Sequence, residues 1–376
     1  MPRLAIGLMS GTSADGVDAV LLESGTAGCR VLGHAHHPYR QPLRDALLRC
    51  GEEEHRISPR DLAELDAEVG EGQAEAAAAL LDACPEARRA EVIGMHGQTV
   101  CHIPPRNSLQ LGNPGPLLAR LQIAVVCDLR RGDLALGGQG APLVPPFHAE
   151  AFGAGAGWRV ALNLGGIANV SWLPPREGGT LSGYDTGPGN GLLDAWHALH
   201  CGGAFDEDGA WAASGELLPE LLEAWLAHPF FAQAPPKSTG RGSFRLESLF
   251  ARAAPRSDAR AEDVQRTLLE LSARSVADAL RKDGRAIEAV ILCGGGARNG
   301  CLSRRLAELL APVPLRHAED YGIGADQVEA AAMAWLALRR LDGLPVTRAS
   351  VTGAAADAVC GALHLPPRTG ADRSAN

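Results

Sequence analysis

Two carboxylates, Asp15 and Asp18, stand in a turn otherwise almost bare of bulk: Gly11, Thr12, Ser13, Ala14, Asp15, Gly16, Val17 and Asp18. The backbone N–H groups and hydroxyls of Gly11, Thr12, Ser13 and Gly16 can close around an anion such as a phosphate chain. Phosphate would repel the carboxylates unless a divalent cation sat between them. The segment therefore spells a nucleotide-phosphate and magnesium site, with a turn-rich surface hairpin as the alternative. A second carboxylate position is Asp185 in Gly183-Tyr184-Asp185-Thr186-Gly187-Pro188-Gly189-Asn190. Set between a short strand and a Gly/Pro turn, it would be held rigidly at a cleft wall. His96-Gly97-Gln98-Thr99 follows one apolar strand directly, and Asp128-Leu129-Arg130-Arg131-Gly132-Asp133 follows another. Polar groups so placed lie at the carboxyl edge of a sheet, where open α/β folds keep their ligands. A capped loop with one satisfied histidine and a solvated salt-bridge cluster are the competing readings. Glu329, in the first turn of a helix, can point into a cleft or simply be solvated. Gly294-Gly295-Gly296 fits neither the Rossmann nor the Walker spacing, yet offers bare backbone on which a base or ribose can lie.

These residues need elements to hold them. Leu4 to Glu23 reads as strand, tight turn and returning strand. WRVALNLGGIANVSW, from Trp158 to Trp172, repeats that plan with Gly165 and Gly166 at its turn, a weak internal duplication. Two half-domains whose turns face each other would pinch a phosphate chain between Gly11–Asp18 and Gly165–Asn169, which is the plan of actin, Hsp70 and the sugar kinases. The expected fold is thus α/β, a duplicated ATPase fold with two domains, 1–140 and 141–376, around a central cleft. Helices are expected over Pro42–Cys50, Pro59–Ala83, Glu216–Ala227, Ala261–Lys282 and Asp326–Leu341. Phe205–Gly215 reads as an acidic loop, Gly137–Pro145 as a hinge or cleft-lining connection, and the tail from Asp342 shows no legible chemistry.

With 376 residues, the chain exceeds one ordinary core and suits two domains. Hydrophobic residues at 46% and charged residues at 21% describe a globular chain able to bury a sizeable core. A net charge of −9 gives no basic field for nucleic acid and no polybasic membrane anchor, so the expected partner is a small molecule. Nine scattered cysteines without CxxC spacing form no disulfide framework and fit a reducing compartment. No leader and no run of eighteen apolar residues is seen, so a cytoplasmic location is expected.

Taken together, GLMSGTSADGVD, HGQT, QLGNP, DLRRGDLALGGQGAPLVP, NLGGIANV, YDTGPGN, DGAWAASG, PKSTGR, CGGGARN and EAAAMAWLA resemble, in order and over nearly the whole length, the anhydro-N-acetylmuramic acid kinase family. The resemblance implies an ATP- and Mg2+-dependent kinase in recycling of cell-wall sugars. It would convert 1,6-anhydro-N-acetylmuramate, ATP and water to N-acetylmuramate 6-phosphate and ADP. It also implies a homodimer. Carried onto this chain, Gly11–Asp18 would be the ATP phosphate loop, Asp185 the catalytic base and Gly294–Gly296 a surface near adenosine. His96, Gln98, Arg131, Asp133 and Glu329 would be candidates for the sugar pocket. Thr186, Gly242 and Met333 depart from the family pattern without removing a charged group from this constellation. Two other readings remain: a kinase for a different sugar, and a non-catalytic nucleotide-gated protein of the same fold.

Overall fold

The computed structural model describes residues 2–11, 13–26, 28–52, 55–153, 155–235, 237–239 and 244–367. Thr12 and Gly242, both singled out above, lie outside the described residues. The chain forms two compact units. Unit 1 comprises Met1–Ala151, Tyr321–Ile323 and Gln327–Asn376, and unit 2 comprises Phe152–Asp320 and Gly324–Asp326.

Unit 1 begins with β1 (Arg3–Met9), β2 (Gly16–Gly25) and β3 (Gly28–Pro38), an antiparallel meander. β4 (Val92–Met95) then runs parallel to β1. A small separate hairpin, β5 (Gln98–Ile103) and β6 (Asn107–Leu111), follows, and β7 (Ala124–Cys127) runs parallel to β4. Unit 2 repeats the scheme: β8 (Trp158–Leu164), β9 (Ile167–Leu173) and β10 (Ser182–Pro188) form the meander, β11 (Ile287–Cys293) pairs parallel with β8, and β12 (Leu315–His317) with β11. Both sheets thus share the order third, second, first, fourth, fifth strand. β13 (Ala362–His364) adds an antiparallel edge strand to β7 in unit 1.

In β1, Leu4, Ile6 and Leu8 alternate onto one face and join a core with Leu65, Val69, Leu80 and Leu81 of the helix Pro59–Ala83. Ser58 caps that helix, accepting from the Asp61 amide at 3.1 Å, and Pro59 holds its first position. On the other face lies the helix Val328–Leu341. Gly7 and Gly94, paired in register across β1 and β4, meet it: a Cβ on either would overlap the carbonyl of Ala330 or Met333. Backbone therefore rests directly on backbone. This packing, with β13 on the sheet edge, places Gln327–Asn376 in unit 1 rather than in a continuous C-terminal unit.

The unit 2 core joins Val160, Leu162 and Trp172 of the sheet to Val264, Leu268, Leu271, Val276 and Leu280 of the helix Ala261–Asp283. Two local expectations fail here. Phe205–Gly215 contains the 3-10 turn Glu207–Gly209 and the helix Ala210–Ser214, because buried Asp206 accepts from the amides of Trp211 and Ala212 at 2.9 and 2.8 Å. The next helix starts at Pro219, not Glu216, since the Glu216 amide is taken by Asp263 at 2.8 Å. Among the described residues no helix is long and apolar enough to cross a membrane.

Candidate active site

Unit 1 carries the first turn, between β1 and β2. The Ala14 amide donates to the Gly11 carbonyl at 3.1 Å, with Ala14 in the left-handed region at φ 49°. From below, Ser10 Oγ donates to Gln98 Oε1 at 2.6 Å and Gln98 Nε2 donates to the Gly11 carbonyl at 3.1 Å. Gln98 thus braces the turn. A Cβ at Gly11 would meet only the Ser13 hydroxyl, whereas one at Gly16 would run into the His37 carbonyl of β3. Gly11 is bare without a packing reason; Gly16 is bare because a strand needs the space. Ala14 and Val17 bury their side chains in the core. Asp15 is exposed and accepts from Ser13 Oγ at 2.8 Å through Oδ1. Asp18 lies on β2, its Oδ1 within 3.2 Å of His34 Nε2 and 3.0 Å of His36 Nδ1. Burial works to raise the Asp18 carboxyl, but the two histidines together bring it below its usual range.

At the carboxyl ends of β4 and β7, half-buried Arg130 organises the polar groups. Its guanidinium donates to His96 Nε2 at 2.7 Å and to the Gly140 carbonyl at 2.7 Å. His96 Nδ1 donates to the Gly97 carbonyl at 2.8 Å, so Nε2 is the bare acceptor. Burial and then the Arg130 charge push the His96 imidazole down to about 3, so it stays neutral. Burial lowers Arg130 itself to about 10 against the opposing pull of Glu329. A cavity of about 230 Å3 opens here, lined among others by His96, Gln110, Asp128, Arg131 and His364. His96 and Arg131 are thus brought together, with Glu329 acting on their neighbour Arg130. Asp133 is fully buried and spends both oxygens on the fold, accepting from the Gly140 amide at 2.8 Å and Thr352 Oγ1 at 2.7 Å. The tail, expected to be silent, supplies both Thr352 and His364.

In unit 2 three glycine segments converge. The Gly165 carbonyl accepts from the Asn190 amide at 2.8 Å and the Gly166 carbonyl from the Gly189 amide at 3.0 Å. A Cβ on Gly189 would strike the Gly165 carbonyl, and one on Gly296 would lie 2.7 Å from Leu164. Gly294, at φ 79°, donates its amide to the Ala325 carbonyl at 2.7 Å. Gly295 alone faces open space, with nothing within 4 Å of an added Cβ. The Gly165-Gly166 turn and the Gly294–Gly296 segment are therefore neighbours.

Asp185 lies within β10, not beyond its end, at a register shift between Asp185 and Gly187. Its amide donates to the Lys237 carbonyl at 3.0 Å and its Oδ2 accepts from the Thr239 amide at 2.7 Å. Burial outweighs the Thr239 hydrogen bond and the Lys237 charge, and the carboxyl is pushed up to about 6. A half-buried carboxylate fixed at one oxygen, with a proton affinity near neutrality, can accept a proton from a hydroxyl or water.

Arg130, Lys237 and Thr239 were not picked out as site residues. Helical spacing could have found Arg130, since it precedes buried Asp133 and Leu134 by three and four residues, while Arg131 faces outward.

Two sheets of one topology, each with a glycine-lined turn between its first two strands, make the chain a duplicated ATPase fold of the actin, Hsp70 and sugar-kinase class. The profile described as anhydro-N-acetylmuramic acid kinase matches residues 3–366, and the chain belongs to that family. It is a kinase, a phosphotransferase with an alcohol acceptor. A relative of that description from Xanthomonas oryzae pv. oryzae is 45% identical over 369 residues, 96% of this chain and 97% of its own. One from Thiobacillus denitrificans is 45% identical over 369 residues, with 96% of both covered, and one from Saccharophagus degradans 42% over 374 residues, 97% of this chain and 100% of its own. Among solved structures, a xylulose kinase from Rhodospirillum rubrum aligns at 15% identity and a TM-score of 0.44 over 90% of each chain.

Proposed function

We propose that the protein opens 1,6-anhydro-N-acetylmuramic acid with water while phosphorylating it at O6 from ATP, releasing N-acetylmuramic acid 6-phosphate and ADP. In the anhydro sugar O6 is bonded to C1 and carries no proton, so the base of an ordinary sugar kinase has nothing there to remove. Asp185 instead takes a proton from the water that attacks C1. The C1–O6 bond breaks, and O6 takes the γ-phosphoryl group of ATP as ADP leaves. An inverting glycosidase needs a second acid to protonate the departing oxygen; here the phosphoryl group captures it. The single observation that carries this reading is the Asp185 carboxylate, raised to about 6 and anchored by the Thr239 amide.

The remaining roles follow from chemistry. The Gly11–Asp18 turn and Gly165-Gly166 bind the phosphate chain through bare amides, and Gly294–Gly296 supports the adenosine. His96, held neutral by Arg130, and Arg131 and Glu329 contribute to sugar binding, with Gln98 and Asp133 shaping the loops around them. Asp15 Oδ2 has no partner among the described residues and Asp18 keeps Oδ2 outside its histidine contacts, so these two carboxylates fit Mg2+. The cation would neutralise phosphate charge. Among the described residues no three His, Cys, Asp or Glu side chains form a metal cage, which accords with a cation held largely by phosphate and water. We assign the protein to the cytoplasm, as a homodimer, in cell-wall sugar recycling.

ADP release measured against a panel of sugars tests the substrate. Stimulation by the 1,6-anhydro sugar alone is expected, and equal stimulation by open pyranoses would replace this reading with that of an ordinary sugar kinase. In heavy-oxygen water the label should enter C1 of the product and spare the phosphate ester. Label in phosphate would mean uncoupled ATP hydrolysis.

A further inference from the structure

Unit 2 contains a second cavity, of about 310 Å3, lined by Tyr184 and Thr186 of β10, by Phe231 and Lys237, and by Ser275 and Lys282 of the helix Ala261–Asp283 among others. Alternation along β10 turns Tyr184 and Thr186 toward it and Asp185 to the other face. The chain has only two lysines, and both line this cavity. Lys237 Nζ donates to the Phe230 carbonyl at 3.2 Å and lies 4.5 Å from the Phe230 ring centre; Lys282 Nζ donates to the Phe231 carbonyl at 3.0 Å. Neither makes an ion pair among the described residues, and each ammonium has three donors, so two remain on each. The acids of the lining, Asp278 and Asp283, each lie beside an arginine, although Asp283 Oδ1 accepts no hydrogen bond. Asp278 pairs with Arg281 at 2.9 Å and Asp283 with Arg285 at 3.0 Å. The lysines also repel: burial and then Lys282 lower the Lys237 ammonium below its ordinary value.

Two lysines on one cavity, beside lining acids Asp278 and Asp283 that each face an arginine outside the lining, in a space larger than a bare ion, call for an anion with a small body attached. We propose that this cavity is a binding site for a small phosphate-bearing anion, separate from the glycine turns, with Lys237 and Lys282 gripping the phosphate. The volume suits inorganic phosphate or a compact phosphate monoester, and ammonium donors suit either. The site also has a route to Asp185. The segment that carries Lys237 accepts the Asp185 amide through the Lys237 carbonyl and gives the Thr239 amide to Asp185 Oδ2. An anion that pulls on Lys237 therefore acts on the clamp that holds the carboxylate.

The scarcity of lysine supplies the test, which requires no ATP, sugar or turnover and so stands apart from the reaction proposed above. Protein labelled with 13C at the lysine ε carbons gives two cross-peaks, assigned with Lys282→Gln. Inorganic phosphate, titrated at constant ionic strength against chloride, should move both saturably, with affinity at least tenfold above that for acetate and at least tenfold weaker in Lys282→Gln. Circular dichroism checks that the variant is folded; if it is not, the wild-type lysine shifts alone decide. Four results would overturn the proposal: lysine signals that stay still while glycine-turn amides move, which puts phosphate in the turns; shifts matched by chloride; acetate binding as tightly as phosphate; or unchanged affinity in a folded Lys282→Gln.

Discussion

At Asp185 burial and hydrogen bonding oppose each other, and burial prevails. The carboxyl reaches about 6 from an ordinary 3.8, so the folded state holds that proton more tightly than the unfolded chain. The stability this contributes is fully present below about pH 4 and is lost as pH rises through about 6. In the proposed reaction activity runs the other way, because only the carboxylate can take a proton. The pH profile of kcat/KM should therefore fall on its acidic side with a midpoint near 6. Asp185→Asn should lower kcat by roughly 10² to 10⁴ with little change in sugar or ATP affinity. At pH 7.5 it should also unfold with about 1–3 kcal/mol more stability, since an amide has no charge to desolvate. Lost activity with lost stability would identify Asp185 as a structural group. A few ångströms of chain separate Gly295 from Gly296, yet the two report different things. Gly296→Val should lower Tm because Leu164 and Asn190 crowd the position. Gly295→Val meets open space, so it should keep Tm and raise the KM for ATP at least several-fold. An unchanged KM would remove this segment from the nucleotide site.

At the scale of elements, the helix Val328–Leu341 rests on the sheet of unit 1 at Gly7 and Gly94 with no room for a Cβ on either. Gly7→Ala or Gly94→Ala would force helix and sheet apart, and urea unfolding should show a loss of about 2–4 kcal/mol. A loss below about 0.5 kcal/mol would mean that the helix gives way freely. Strands and long helices were legible in the sequence because their apolar periodicity is strong: Leu4, Ile6 and Leu8 alternate, and Pro59–Ala83 has cap, proline and stripe. So was the duplication, through its two glycine turns. What was not legible depended on partners far along the chain. Asp133 reads as a candidate ligand, and nothing local announces the hydrogen bond it accepts from Thr352, more than two hundred residues later. Gln98 reads as a candidate sugar contact, and its bonds to Ser10 and Gly11 are equally invisible in the local sequence. The tail seemed silent because its role is to complete a sheet edge and to support Asp133, and neither task needs a motif.

Over the whole molecule, unit 2 is nearly one continuous stretch, Phe152–Asp320 with Gly324–Asp326, whereas unit 1 needs both ends of the chain. A fragment of residues 152–326 has its own sheet and core, so it should fold alone, with a cooperative melt by circular dichroism and no kinase activity. Residues 1–151 alone lack the helix Val328–Leu341 and should not melt cooperatively. If the first fragment is unfolded and the second is stable, the division is wrong. The glycine contact has a consequence in time. A ribosome makes β1 and β4 early, but the helix that covers Gly7 and Gly94 emerges only after all of unit 2, some 230 residues behind β4. At roughly 5–20 residues per second the wait is on the order of 10–50 s. Throughout synthesis one face of the first sheet stays uncovered while the second unit can already close, so the nascent chain can complete unit 2 before unit 1.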